Sequence, residues 1–255
     1  MIETLSQDLL KLIEQRTSAT ISSGESWSNL PMLGFDLETT GVDPTHDVPV
    51  SAALVYFVSE AQYYYEYFLI NPGRKIPPEA TAIHSITDEM VEEQGIGLKS
   101  ALEKIVSIFN LASSSNIPIV GMNVSYDLTI VESQLRLLGL PPISKLDLKV
   151  LDVLTIDRHF DKYRKGNRKL ASLCANYNVS LTDAHNAFGD ALAALCILTR
   201  QIERFPLIGE NTIESLLVDQ AAWHKEWAEG FSKWLVSKGK QPLTPREILW
   251  PYCIG

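Results

Sequence analysis

The chain of 255 residues predicts an α/β fold: a central mixed five-stranded sheet flanked by helices, with a helical C-terminal extension. Three observations predict it. β-Branched and aromatic runs follow one another early in the chain, joined by short connections. After them, apolar residues at helical spacing alternate with short, wholly apolar runs. The composition, 45% hydrophobic and 21% charged, is that of a globular protein and excludes wholesale disorder or a fibrous architecture.

The elements follow in order. Residues 1–16 read as a short amphipathic helix, with Leu5, Leu9, Leu12 and Ile13 on one stripe, and residues 17–29, rich in Ser, Thr and Gly, as a linker. The principal domain, residues 30–205, opens with an apolar strand at 32–37 that ends in acidic residues and Gly41. Strands at 49–58 and 62–70 pair with it in antiparallel fashion, and Tyr63, Tyr64 and Tyr65 read as part of a half-buried strand. Residues 77–84 read as turn, 87–94 as a helix capped by Thr87, and 100–111 as a helix with Leu102, Ile105, Val106 and Phe109 facing the core. A strand at 117–120 follows the Ser113-Ser114-Ser115 loop. Then come a helix at 128–138, a strand at 148–154, and helices at 168–177 and 187–202. The extension, residues 206–255, reads as one long helix from residue 211, with Leu216, Trp223, Trp227, Phe231 and Trp234 on one face. That face either docks on the principal domain or binds a partner.

The longest apolar run, residues 191–198, is far short of the ~18 residues a membrane span requires, so no membrane association is expected. Glu3 and Asp8 stand where a signal peptide carries positive charge. Cys174, Cys196 and Cys253 are widely spaced and odd in number, and read as buried reduced thiols. The expected location is cytoplasmic. With 22 Lys and Arg against 31 Asp and Glu, the net charge is -9, which argues against a general nucleic-acid binder.

Chemistry concentrates in three segments. In Phe35-Asp36-Leu37-Glu38-Thr39-Thr40-Gly41 the two carboxylates project to the same side of a strand, where they repel unless a cation lies between them. Hard divalent cations such as Mg2+ or Mn2+ are the natural occupants. In Gly121-Met122-Asn123-Val124-Ser125-Tyr126-Asp127 the acid falls near a helix start, where it could also serve as a simple cap. In His185-Asn186-Ala187-Phe188-Gly189-Asp190 the His and Asp face one site only if His185 lies in the loop before the helix, since five residues of helix would set them about 140° apart. A His beside metal-bound carboxylates is a credible general base.

The order Asp36-x-Glu38, Asp127, His185-x4-Asp190, spread over residues 30–204, resembles the DnaQ-like (DEDDh) 3'-5' exonucleases, a family that includes the epsilon proofreading subunit of DNA polymerase III, RNase T and oligoribonuclease. Asn71-Pro72-Gly73 and Ile83-His84-Ser85-Ile86-Thr87 extend the likeness, with Ser85 in place of the usual Gly; Met122 and Tyr126 depart from the commoner His and Phe. The resemblance implies an RNase H-like fold and two divalent ions, Mg2+ or Mn2+, held by Asp36, Glu38, Asp127 and Asp190. It implies His185 as the base that takes a proton from the attacking water, and release of nucleoside 5'-monophosphates from single-stranded 3' ends. DNA is the expected substrate, with RNA the alternative; a non-catalytic interaction module on the same fold is the rival of another class, and it would lack a carboxylate or the histidine. Thr39, Thr40, His84 and Asn123 are expected at the terminal nucleotide. Residues 158–169 carry six Lys or Arg against one Asp, and Arg164, Lys165 and Arg168 are expected to line the approach of the phosphate backbone. A DNA polymerase subunit is the partner expected for the extension. Two divalent ions would bring the net charge of -9 to about -5, which fits an enzyme that holds few nucleotides.

Overall fold

The computed structural model describes residues 9–17, 26–181 and 185–253. The remainder of the expected N-terminal helix, residues 1–8, and most of the expected linker, 18–25, lie outside the described residues. The elements are α1 (Leu9–Thr17), β1 (Met32–Thr39), β2 (Pro49–Ser59), β3 (Gln62–Asn71), α2 (Pro78–His84), α3 (Asp88–Gln94), β4 (Ile96–Gly97), α4 (Leu98–Ser114), β5 (Ile119–Gly121), α5 (Val124–Leu137), β6 (Val150–Asp152), α6 (Val153–Phe160), α7 (Leu170–Tyr177), α8 (Ala187–Arg204), α9 (Leu207–Glu210) and α10 (Ile213–Ser237).

The sheet has six strands, in the order β4-β3-β2-β1-β5-β6, where five were expected. The sixth, β4, is two residues long and carries no pattern to read. β1, β2 and β3 form an antiparallel meander, and β5 and β6 run parallel to β1. Alternation along β1 divides the core. Leu33, Phe35 and Leu37 enter a cluster with α1, α4 and α5, whereas Met32 joins a second cluster built on α6, α7 and α8. The carboxylates at 36 and 38 therefore face the α8 side.

Four expectations need correction. Residues 78–84 are helical: Pro78 occupies the first helical position, where a missing N–H costs nothing. The strand expected over 148–154 is only three residues long, because the Asp152 side chain accepts from Leu154 N at 2.9 Å and starts α6. α4 runs through Ser113 and Ser114, where a loop was expected, and α5 begins at Val124, so Asp127 lies within its first turn. Of the cysteines, only Cys174 is buried; Cys196 and Cys253 are half-exposed, and all three are free thiols. Ser85, at the end of α2, has φ 61°, a left-handed conformation that costs a non-glycine residue roughly 1 kcal/mol.

The extension packs against the rest of the chain. Its one-turn α9 precedes α10, whose Leu216 is fully buried. Gln220 meets the outer edge of β6: its side-chain carbonyl accepts from Asp152 N at 2.8 Å and its amide donates to Val150 O at 3.1 Å. One side chain thus supplies the pairing that a seventh strand would give. Trp223 stacks on His159 of α6 at 3.9 Å, and Arg158 lies over the Trp227 ring at 3.4 Å. At the far end Trp234 is 49% exposed. The final segment returns to α5, where Cys253 N donates to Thr129 Oγ1 at 2.9 Å. Among the described residues no helix is long and apolar enough to cross a membrane.

Candidate active site

Two close approaches bring helices to β1. At Gly34 a Cβ would sit 2.5 Å from Leu195 and 3.1 Å from the Ala191 carbonyl, so α8 lies directly on the strand because residue 34 has no side chain. Asp190, in the first turn of α8, is thereby set beside Asp36. At Gly121 a Cβ would come within 2.8 Å of the Phe35 carbonyl, and this contact draws the β5–α5 corner, with Asp127, against the same strand.

Carboxylate oxygens of Asp36, Glu38 and Asp190 lie within 4.8 Å of one another. Burial raises the pKa of Asp36 well above the usual carboxylate range, and the charges of Asp127, Asp190 and Glu38 add to it. Burial, aided by Asp190, pushes Glu38 up to about 7. Burial also pushes Asp190 up to about 6, against the opposing pull of His185. One oxygen of Asp190 is buried without a hydrogen-bond partner. Three half-buried carboxylates at this spacing, one with an unsatisfied oxygen, form a donor set suited to a hard divalent cation.

Asp127 is placed differently. β1 and β5 stop pairing after Gly34 and Val120, and beyond that point the Asp127 carboxylate accepts from Leu37 N at 3.1 Å. It is buried and its pKa is raised by desolvation, and its charge acts on Asp36 more strongly than those of Asp190 and Glu38. His185 stands outside α8, which begins at Ala187 behind the Asn186 cap. It is exposed, with φ 65°, and its charge and backbone reach Asp190.

The expected substrate contacts divide. His84 is buried, with Nδ1 accepting from Ile86 N at 3.0 Å; Nε2 is without a partner and the ring lies by the Thr39 backbone. Thr39 follows a register shift between β1 and β2 that re-aims the strand end. Asn123 is left-handed (φ 59°), and its backbone N–H donates to Asp152 Oδ1 at 2.9 Å. The Thr40 side chain is buried and fully engaged, donating to Asp47 at 2.7 Å and accepting from Val48 N at 3.1 Å, which corrects its expected role.

The basic segment also needs correction. Arg164 and Arg168 are turned inward onto the fully buried Asp157, at 3.2 and 2.7 Å, where Tyr177 also donates at 2.9 Å. Arg158 is spent on Trp227. Lys165 alone of the three expected phosphate contacts is exposed. The structure adds a role for two residues to which the sequence assigned none. Asp152 ties β6 to the starts of both α5 and α6, and no signal marked it, because residues 148–154 read as one strand. The Tyr126 hydroxyl, held up to about 12 in pKa by burial, bonds to the turn after β1.

Comparison with known proteins identifies the family and the fold. The sequence model of the RNase_T family, described as an exonuclease, matches residues 33–198. A PolC-type DNA polymerase III from Lacticaseibacillus paracasei is 30% identical over 183 residues, which cover 71% of this chain but only 12% of that protein. A DNA polymerase III subunit epsilon from Treponema pallidum is 27% identical over 169 residues, 66% of this chain and 74% of that one. Among solved structures, E. coli exonuclease I in complex with a dA16 oligonucleotide shares the fold, with a TM-score of 0.61 at 22% identity, over 71% of this chain and 42% of that one. The chain thus spans well under half of several of the proteins it matches.

Proposed function

Because the chain belongs to the RNase_T exonuclease family and is of the DnaQ-like, epsilon type, we propose that it is a metal-dependent 3'-5' exonuclease that shortens single-stranded DNA and releases nucleoside 5'-monophosphates. The observation that carries this reading is the convergence of Asp36, Glu38 and Asp190 at the end of β1, with the charge of Asp127 acting on Asp36. The four carboxylates would hold two divalent cations, Mg2+ or Mn2+. Such cations, when bound, acidify water and stabilise charge on the leaving 3' oxygen.

The chain's own residues supply the rest. Asp127, by accepting from Leu37 N, keeps the end of β1 in register and so fixes where Asp36 and Glu38 point. His185, free of the helix and exposed, takes the proton of the attacking water at an imidazole nitrogen. His84, buried against the Thr39 backbone, sets the strand end that faces the terminal nucleotide. We assign this chemistry to residues 30–205 and treat the segments before and after as additions, acting in the cytoplasm. A polymerase subunit would dock on the last turns of α10, where Trp234 and Val236 are open, since Trp223 and Trp227 are occupied by α6.

The test compares single-stranded DNA, mismatched primer ends and RNA, each with a free 3' end, in Mg2+ and in Mn2+. Asp36→Ala is expected to abolish hydrolysis. His185→Ala is expected to lower kcat about a hundredfold or more while leaving Mn2+ binding intact. A wild-type rate in Asp36→Ala would sink the mechanism.

A further inference from the structure

The exonuclease reading leaves the Tyr126 hydroxyl unused. It donates to the Gly41 carbonyl and lies 3.1 Å from Thr39 Oγ1, which donates to the same carbonyl at 2.7 Å. A carbonyl oxygen has two lone pairs and accepts both. The triangle joins the end of β1, the turn that follows it and the first turn of α5. The buried His84 ring lies against the Thr39 backbone, so α2 and α5 both reach this residue, one beyond Glu38.

The turn has bonds of its own between Asp43 and Asp47, and Arg74 donates to its His46 carbonyl. Val42 at its tip is 87% exposed, and Asp47 bonds within it to Thr40 and to Asp43 N. Its far end is tied to α5 by Gln134, which donates to the Asp47 carbonyl at 3.0 Å. Thr40 ties the near end to Val48 and Asp47, while the Gly41 carbonyl itself is held by the Tyr126 and Thr39 hydroxyls; a phenylalanine at 126 would provide the same ring without the bond.

We propose that the Tyr126 hydroxyl is a positioning group for the 3'-terminal nucleotide: by pinning Gly41 and Thr39 to α5, it fixes the wall of the site against which the terminal sugar is set. The inference rests on the exonuclease reading. It gives the chain a tighter grip on short ends than the same site with an untethered turn.

The test is Tyr126→Phe, which removes one oxygen and keeps the ring. With a single-stranded DNA oligonucleotide, KM is expected to rise about fivefold to tenfold, as for the loss of one hydrogen bond, with kcat within about twofold of wild type. Mn2+ affinity measured by calorimetry should be unchanged, and amide hydrogen exchange over residues 40–44 should accelerate. Thr39→Val should raise KM by itself but add little on top of Tyr126→Phe, because both act on one carbonyl. An unchanged KM with unchanged exchange overturns the proposal. So does a parallel fall in kcat, Mn2+ affinity and thermal stability, which marks a merely structural bond. A wild-type protein that leaves every oligonucleotide intact overturns the exonuclease reading itself, whereas an active wild type with a silent Tyr126→Phe overturns this proposal alone.

Discussion

At the scale of single residues, the acidic cluster carries its own electrostatic cost. Glu38 and Asp190 bind protons more tightly folded than unfolded, up to about 7 and about 6. Their contribution to stability is therefore complete below about pH 4 and is lost as pH rises through 6 and 7. For Glu38 the change is roughly 3 kcal/mol. His84, His159 and His224, whose imidazoles burial keeps neutral, act in the opposite sense as pH falls. The expected outcome is that metal-free wild type loses more stability than Glu38→Gln between pH 5 and pH 8, as read by urea unfolding, and that Mn2+ cancels the difference. Equal losses in the two proteins would contradict it. The five residues of the motif were legible because each sits in a short segment with a local pattern. The true partners of Arg164 and Arg168 were not, since a sequence shows Asp157 as one more acid and only packing against Tyr177 makes it a buried anchor.

At the scale of elements, the site depends on how closely α8 lies on β1. Gly34→Val would put branched carbon where the Ala191 carbonyl and Leu195 now stand, and a helix backbone yields less readily than a side chain. We expect a loss of about 1–3 kcal/mol in stability, from overpacking, and a weakening of Mn2+ binding by about tenfold or more as Asp190 moves away from Asp36. Denaturant unfolding and calorimetry read the two effects separately; a destabilised variant with wild-type metal affinity would show that the spacing is not critical. β1, β2 and β3 were legible as apolar, β-branched and aromatic runs bounded by turn residues, and α8 by its helical spacing over eighteen residues. α6 was hidden because its apolar start, Val153 and Leu154, continues the run of β6 with no break in pattern. α2 was hidden behind Pro77 and Pro78, which signal a turn as readily as a first helical turn.

At the scale of the whole molecule, the C-terminal extension completes the sheet. Gln220 occupies a backbone N–H and a backbone C=O on the edge of β6, both buried. Gln220→Ala would leave them without partners at a cost of roughly 3 kcal/mol, measurable by urea unfolding. Removing residues 206–253 altogether is expected to expose the strand edge and to give a chain that self-associates in sedimentation; a stable monomer would refute this. The amphipathic stripe of α10 was readable in the sequence, but the role of a polar residue on its inner side was not, because a lone glutamine has no pattern. The same contact has a consequence in time. Asp152 and Gln220 are 68 residues apart, so at 5–20 residues per second the ribosome delivers the second roughly 3–14 s after the first. For that interval the nascent chain presents a finished strand whose outer edge has no partner, and synonymous codon changes that slow translation between the two positions would lengthen it.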